Sequence, residues 1–239
     1  MSRATPLLIA HRGASAVAPE STRAAIQAAV RAGAMMIELD VQLTLDRRLV
    51  IFHDDRLERT TNGTGRVTTT RYTDLRRLDA GTWFHPRFRG ERILLVTHVL
   101  RLVPHHIRLN LELKRTRNPA VLIRHFVALV RRQRAVRRIV VSSFDPRLLH
   151  LLRRTRMARA LICRRDADRS LQHAIQLRCV AWHPFHTLVT PRRLARAHAA
   201  GLRVHAWTVD ELSRARQLLH VGVDGLFTNN PQRLRVLYR

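Results

Sequence analysis

Short apolar runs alternate with longer stretches of helical period along almost the whole chain. Leu7–Ala10 and Met35–Val41 read as strands, with an amphipathic helix over Ser21–Ala32 between them. Arg48–His53 reads as the return arm of a hairpin on the second strand, turning at Asp46-Arg47-Arg48. From about residue 105 the alternation becomes regular. Strands are expected at Leu109–Leu113, Arg138–Ser142, Ala158–Cys163, Cys179–Trp182, Arg203–Thr208 and Asp224–Thr228, with a helix over Pro119–Arg132. Asp145-Pro146, Thr190-Pro191 and Asn230-Pro231 each join a capping side chain to a proline suited to a first turn, and announce further helices. Gly201 and Gly222 suit helix ends. With the hairpin arm set aside the strands number eight. Eight strand–helix units predict an α/β fold, a closed (β/α)8 TIM barrel, with a doubly wound open sheet as the alternative.

Residues 54–92 break the pattern. They are rich in Thr, Gly and Arg, as in Arg59-Thr60-Thr61-Asn62-Gly63-Thr64-Gly65, and show little apolar periodicity. Such a stretch is expected to be a small insertion after the second strand, without a strong core of its own, lying over a site as a lid or rim. With no internal repeat, linker or low-complexity tract, residues 1–239 are expected to form one domain.

Composition narrows the class. Hydrophobic residues make up 46% of the chain, which excludes a disordered basic protein. No apolar run approaches the ~20 residues of a membrane span, and the short stretch Pro6–Ala10 suits a first strand rather than a secretory leader. Cys163 and Cys179 are too few for a disulfide framework or a four-cysteine zinc site, and a cytoplasmic location is expected. Basic side chains number 44 against 17 acidic, a formal charge of +27, and Lys114 is the sole lysine. That charge predicts non-specific attraction to nucleic acid or anionic membranes. The arginines nevertheless fall in scattered clusters, such as Arg131, Arg132, Arg134, Arg137 and Arg138, or Arg153, Arg154, Arg156 and Arg159. They form no single stripe, as expected of solvated helix faces. Aromatics at 5% argue against a stacking platform for single-stranded bases.

The few acids are placed informatively. Glu38 and Asp40 stand two apart on the second strand, and Glu112 and Lys114 repeat that spacing on the next, so each pair shares a face. At the C-terminal end of barrel strands such positions reach an active-site mouth. Three carboxylates meeting there repel unless a cation balances them, and oxygen donors without cysteine favour a hard divalent ion, Mg2+ or Ca2+. Solvated strand ends, with Glu112 simply paired to Lys114, are the competing explanation. His11 follows the first strand and His53 ends the hairpin, so both fall at the same rim, suited to proton transfer near neutrality. Arg12 and Lys114 add fixed positive charge, as an anionic substrate requires.

At these residues the sequence resembles the glycerophosphodiester phosphodiesterases of the phospholipase-C-like phosphodiesterase barrel superfamily. The matching text runs in order through His11-Arg12-Gly13, Pro19-Glu20-Ser21-Thr22, Ile37–Val41, Thr44-Leu45-Asp46, Val50–Asp54, Leu57–Gly65, Leu111–Lys114 and Ser142–Pro146. It continues through Gly201–Val204, Trp207-Thr208-Val209 and Gly222–Gly225, spanning almost the whole chain. The resemblance implies a (β/α)8 barrel with an insertion after the second strand. It implies one divalent cation held at Glu38, Asp40 and Glu112, with His11 and His53 as the acid/base pair. It further implies phosphate contacts from Arg12 and Lys114, and an aromatic beside the substrate's alcohol at Trp207, where barrel packing is an equal alternative. For Glu20 it leaves capping, a hydrogen bond to the histidine–arginine loop and metal binding open.

The chain departs from the family pattern at Ser21 (usually Asn), Arg47 (usually Gly) and Asn229 (usually Asp), which look like capping and turn changes. A larger departure is Ile93–His98, where the family shows Ile-Pro-Thr-Leu-Glu-Glu. The expected activity is metal-dependent hydrolysis of a glycerophosphodiester to an alcohol and sn-glycerol 3-phosphate. Two rivals are a lysophospholipase D-type enzyme at anionic membranes and a non-catalytic polyanion-binding protein.

Overall fold

The computed structural model describes residues 5–238. Among them eight parallel strands close into a ring: β1 (Leu7–His11), β2 (Met36–Leu43), β4 (Arg108–Leu113), β5 (Ile139–Ser143), β6 (Ala158–Cys163), β7 (Ala181–Pro184), β8 (Arg203–Ala206) and β9 (Gly225–Thr228). Pairing of β1 with both β2 and β9 closes the barrel, which excludes the open sheet. The short β3 (Leu49–Ile51) lies antiparallel on β2, with Val41 opposite Ile51, and is the expected hairpin arm.

Helices cover the ring outside. They are α1 (Arg23–Arg31), the single turn α2 (Tyr72–Leu75), α3 (Val96–Leu102), α4 (Pro119–Arg132), α5 (Pro146–Leu151), α6 (Ala167–Gln176), α7 (Pro191–Ala199), α8 (Leu212–Val221) and α9 (Pro231–Leu234). In α4, Leu122, Ile123, Phe126 and Val130 form one buried stripe, and Arg124, Arg131 and Arg132 lie exposed on the opposite face. Helix α8 ends at Gly222, whose φ of +104° suits a residue without a Cβ.

Not every clustered arginine is solvated. Arg138 donates to the carbonyls of Ile107, Leu100, Val103 and Pro104, satisfying chain ends around α3. Buried Arg159 does the same for Leu152, Leu177 and Arg178. These two replace missing backbone partners, a role that charge patterning along the sequence does not reveal.

The insertion differs from its expectation. Val50, Phe52, Leu57, Val67, Leu75, Ala80, Ile93 and Leu95 form a small buried core beneath it. The altered stretch Ile93–His98 supports that core. The Ile51 N–H donates to the Leu94 carbonyl at 2.8 Å, and Val50 pairs with Leu95, so the chain returns along the free edge of β3. Ile93, Leu94 and Leu95 are all buried there.

Inside the barrel, Ile9, Met36, Val140, Ala160, Ala181 and Phe227 form an apolar layer. Side chains alternate along each strand, so the positions two residues beyond Ile9 and Met36, His11 and Glu38, stand above that layer. This places the chemistry at the C-terminal mouth.

Candidate active site

The site starts from the turn after β1. Arg12 and Gly13 both take positive φ, +56° and +80°. A Cβ on Gly13 would lie 2.7 Å from the Ala25 backbone, so only glycine lets this turn rest on α1. The Arg12 backbone N–H donates to Glu38 Oε2 at 3.0 Å, and the Ser21 N–H donates back to the Arg12 carbonyl at 2.9 Å. Ser21 itself has a φ of +63°, and Thr22 caps α1 by accepting from the Ala25 N–H, so the cap lies one residue later than the helix expected from Ser21.

Glu38 and Asp40 on β2 and Glu112 on β4 come together as the i, i+2 spacing predicts. One carboxylate oxygen from each lies within 4.8 Å of the others, and all three residues are buried. Glu38 Oε1 and Asp40 Oδ2 are buried without a hydrogen bond. Burial, then the charges of Asp40 and Glu112, push the Glu38 carboxyl well above its ordinary range. Burial and Asp40 push Glu112 up to about 7. Asp40 is the exception: burial would raise it, but Lys114 and Arg12 outweigh that and hold it low. Unpartnered buried oxygens on converging acids fit a hard divalent cation.

Positive groups surround the acids. Lys114 Nζ donates to Glu112 Oε1 at 2.9 Å and to Asp40 Oδ1 at 3.2 Å. Arg12 Nε lies 3.4 Å from Asp40 Oδ2, while its Nη1 donates to Glu20 at 3.1 Å. Glu20 also takes Arg59 at 2.7 and 3.0 Å. Both of its oxygens therefore accept from arginines, one of them Arg12 of the histidine–arginine loop, as the loop hydrogen bond requires. His11, Arg12, Glu38, His53, Glu112 and Trp207 line one cavity of about 200 Å³. All eight residues expected at the site thus meet at one end of the barrel.

Known proteins converge on the same reading. Residues 11–233 match the model of the glycerophosphoryl diester phosphodiesterase family. The chain belongs to this family. It is 36% identical to Bacillus subtilis YhdW over 236 residues, covering 94% of each chain. It is 32% identical to a glycerophosphodiester phosphodiesterase of Caldanaerobacter subterraneus subsp. tengcongensis over 240 residues, covering 98% of each. Its fold matches an Oleispira antarctica phosphodiesterase solved with the product sn-glycerol 3-phosphate, with a TM-score of 0.90, 29% identity and coverage of 97% and 96%.

Within this family member two partners escaped the sequence reading. His11 Nδ1 lies 2.8 Å from Asn229 Oδ1, and the Asn229 amide nitrogen donates to Asp210 Oδ2 at 2.7 Å. That second bond fixes the amide, so Oδ1 accepts the His11 Nδ1–H and Nε2 is left with its lone pair toward the cavity. Asn229 is therefore not the turn or capping change it resembles in sequence. The only written signal was its departure from aspartate. On the opposite side His53 Nδ1 bonds Asp54, which Arg59 also holds. Asp54 falls to about 2, through its bond to Arg59 and that to His53. Burial and the Arg12 charge push His11 down to about 4.

Trp207 sits at the rim, edge-on to Phe144 and Phe185 with ring centroids 5.5 and 5.4 Å away. Its indole N–H donates to the His183 carbonyl at 2.8 Å, so that donor is already spent within the protein, and the side chain lines the cavity.

Proposed function

We propose that the protein hydrolyses glycerophosphodiesters to an alcohol and sn-glycerol 3-phosphate, in a reaction that requires one divalent cation. The observation that carries this reading is the three-carboxylate cluster flanked by Arg12 and Lys114, with a histidine at its rim on either side. Glu38, Asp40 and Glu112 would hold Mg2+ or Ca2+, whose chemistry there is polarisation of a phosphoryl oxygen. Arg12 and Lys114 bind the phosphodiester anion and stabilise charge that grows on it in the transition state. Neutral His11, with Nε2 unprotonated, takes the proton of the attacking oxygen. His53, whose proton affinity burial lowers and the Asp54 hydrogen bond partly restores, protonates the leaving alkoxide. The ring of Trp207 offers the substrate an apolar wall. Two buried, unpaired cysteines fit a reducing compartment, so the cytoplasm is the location we assign.

The test is release of sn-glycerol 3-phosphate from glycerophosphodiesters by the purified chain. Excess EDTA should abolish release, and added Mg2+ or Ca2+ should restore it. Full turnover in chelator, or no turnover with either metal, would contradict the reading.

A further inference from the structure

The two flanks of the cavity are built differently. Toward the insertion, the chain of contacts Arg12–Glu20–Arg59–Asp54–His53 fills the space. The hollow behind it is about 10 Å³, no more than one water needs. Toward β5 and β6 the site is open. Phe144, Ile162 and Arg164 line both the active-site cavity and a neighbouring hollow of about 360 Å³. A substrate that places its phosphate at the carboxylate cluster therefore extends its larger arm this way.

The charge along that path has one dominant sign. Arg164, Arg165 and Arg169 line the hollow with His173, against the single carboxylate of Asp166. Among the described residues, none of these three guanidinium groups has an ion pair. The next acid on α6, Asp168, is held by Arg193 at 2.7 Å. The Arg164 guanidinium lies 5.8 Å from the Phe185 ring centroid, which places it over the aromatic rim beside Trp207. Arginine is abundant in this chain, but of the clustered residues named above only Arg131 and Arg132 lie on a long helix and none lines the active-site cavity. These three stand where a substituent leaves the catalytic cavity.

We infer that Arg164, Arg165 and Arg169 form an anion-selecting subsite for the alcohol arm, favouring diesters whose alcohol carries a carboxylate or second phosphate of its own. This rests on the phosphodiesterase reading above. A cationic headgroup seated in this subsite meets three guanidinium groups and one carboxylate, so repulsion prevails. Neutral polyol arms fall between the two.

The experiment compares kcat/KM for three substrates with the metal-loaded full chain: glycerophosphoglycerol phosphate, glycerophosphoglycerol and glycerophosphocholine. The acidic arm should exceed the cationic arm by roughly ten-fold at low salt, and the ratio should shrink as salt screens it. In a chain carrying Arg164→Glu and Arg169→Glu the order should flatten or reverse. Ratios are taken within each protein, so a general loss of activity cancels. An equal or cation-favouring order in the unaltered chain, or an order unchanged by the double substitution, overturns the subsite and leaves the diesterase reading standing. Failure to cleave any of the three diesters overturns both.

Discussion

His11 and His53 share one chemistry and stand on differently built halves of the same mouth. His11 belongs to the barrel wall: it ends β1, is largely buried, and is backed by an amide that Asp210 orients from beside β9. His53 belongs to the insertion side, is more exposed, and is backed by a carboxylate that Arg59 holds. Both backing groups accept from a ring N–H and so favour the charged ring, the carboxylate adding a full negative charge that the amide lacks, and at both histidines burial opposes them. On the proposed reading the two backing groups distinguish a base at His11 from an acid at His53, although burial lowers the proton affinity of both rings and Asp54 offsets it at His53 only in part.

The largest test of that contrast removes the rings. His11→Ala and His53→Ala should each lower kcat by about 10²- to 10⁴-fold, measured as release of sn-glycerol 3-phosphate. Near-normal turnover in either would take that histidine out of the chemistry. Asn229→Ala, which leaves His11 in place but frees its tautomer, should lower kcat by about 10- to 100-fold with KM little changed, by analogy with losses at residues that orient ligands. An effect on KM alone would make Asn229 a packing residue.

Asp54→Asn probes the other half. Asp54 is ionised throughout the working range, and its negative charge raises the affinity of His53 for a proton. Removing that charge lowers the His53 pKa, so the alkaline limb of the kcat profile should move to lower pH, with a loss of about ten-fold at the optimum. A limb that stays put, or moves to higher pH, would deny His53 the acid's role. The smallest expected effect is Ser15→Ala. The Ser15 hydroxyl lies 2.9 Å from both Asn229 Oδ1 and the His11 carbonyl, so its loss should cost about two- to three-fold in kcat, in line with one neutral hydrogen bond.

The parts of the site legible in the sequence were those set by local geometry. Period-two spacing along β2, and along β4 to Lys114 just past its end, placed Glu38, Asp40, Glu112 and Lys114 together, and strand ends located His11 and His53. The limits of β6 and α4 coincide with the expected Ala158–Cys163 and Pro119–Arg132, and α4 opens on a proline at its first turn. What stayed hidden depends on distance along the chain. Asn229 meets His11 across 218 residues, and Arg59 meets Glu20 across 39. The insertion's small core was missed because its apolar positions are irregularly spaced. It is assembled from β3, α2 and the returning Ile93–Leu95, not from one periodic element.

The most direct test of the account is metal binding itself. The chain stripped with EDTA is titrated with Mg2+ and Ca2+ by calorimetry, beside Asp40→Asn and Glu112→Gln. The account predicts one ion per chain, binding that falls by at least about ten-fold in either variant, and a rise in thermal stability on loading in the unaltered chain alone. Unchanged affinity in both variants, or no binding of either ion by the unaltered chain, would contradict it.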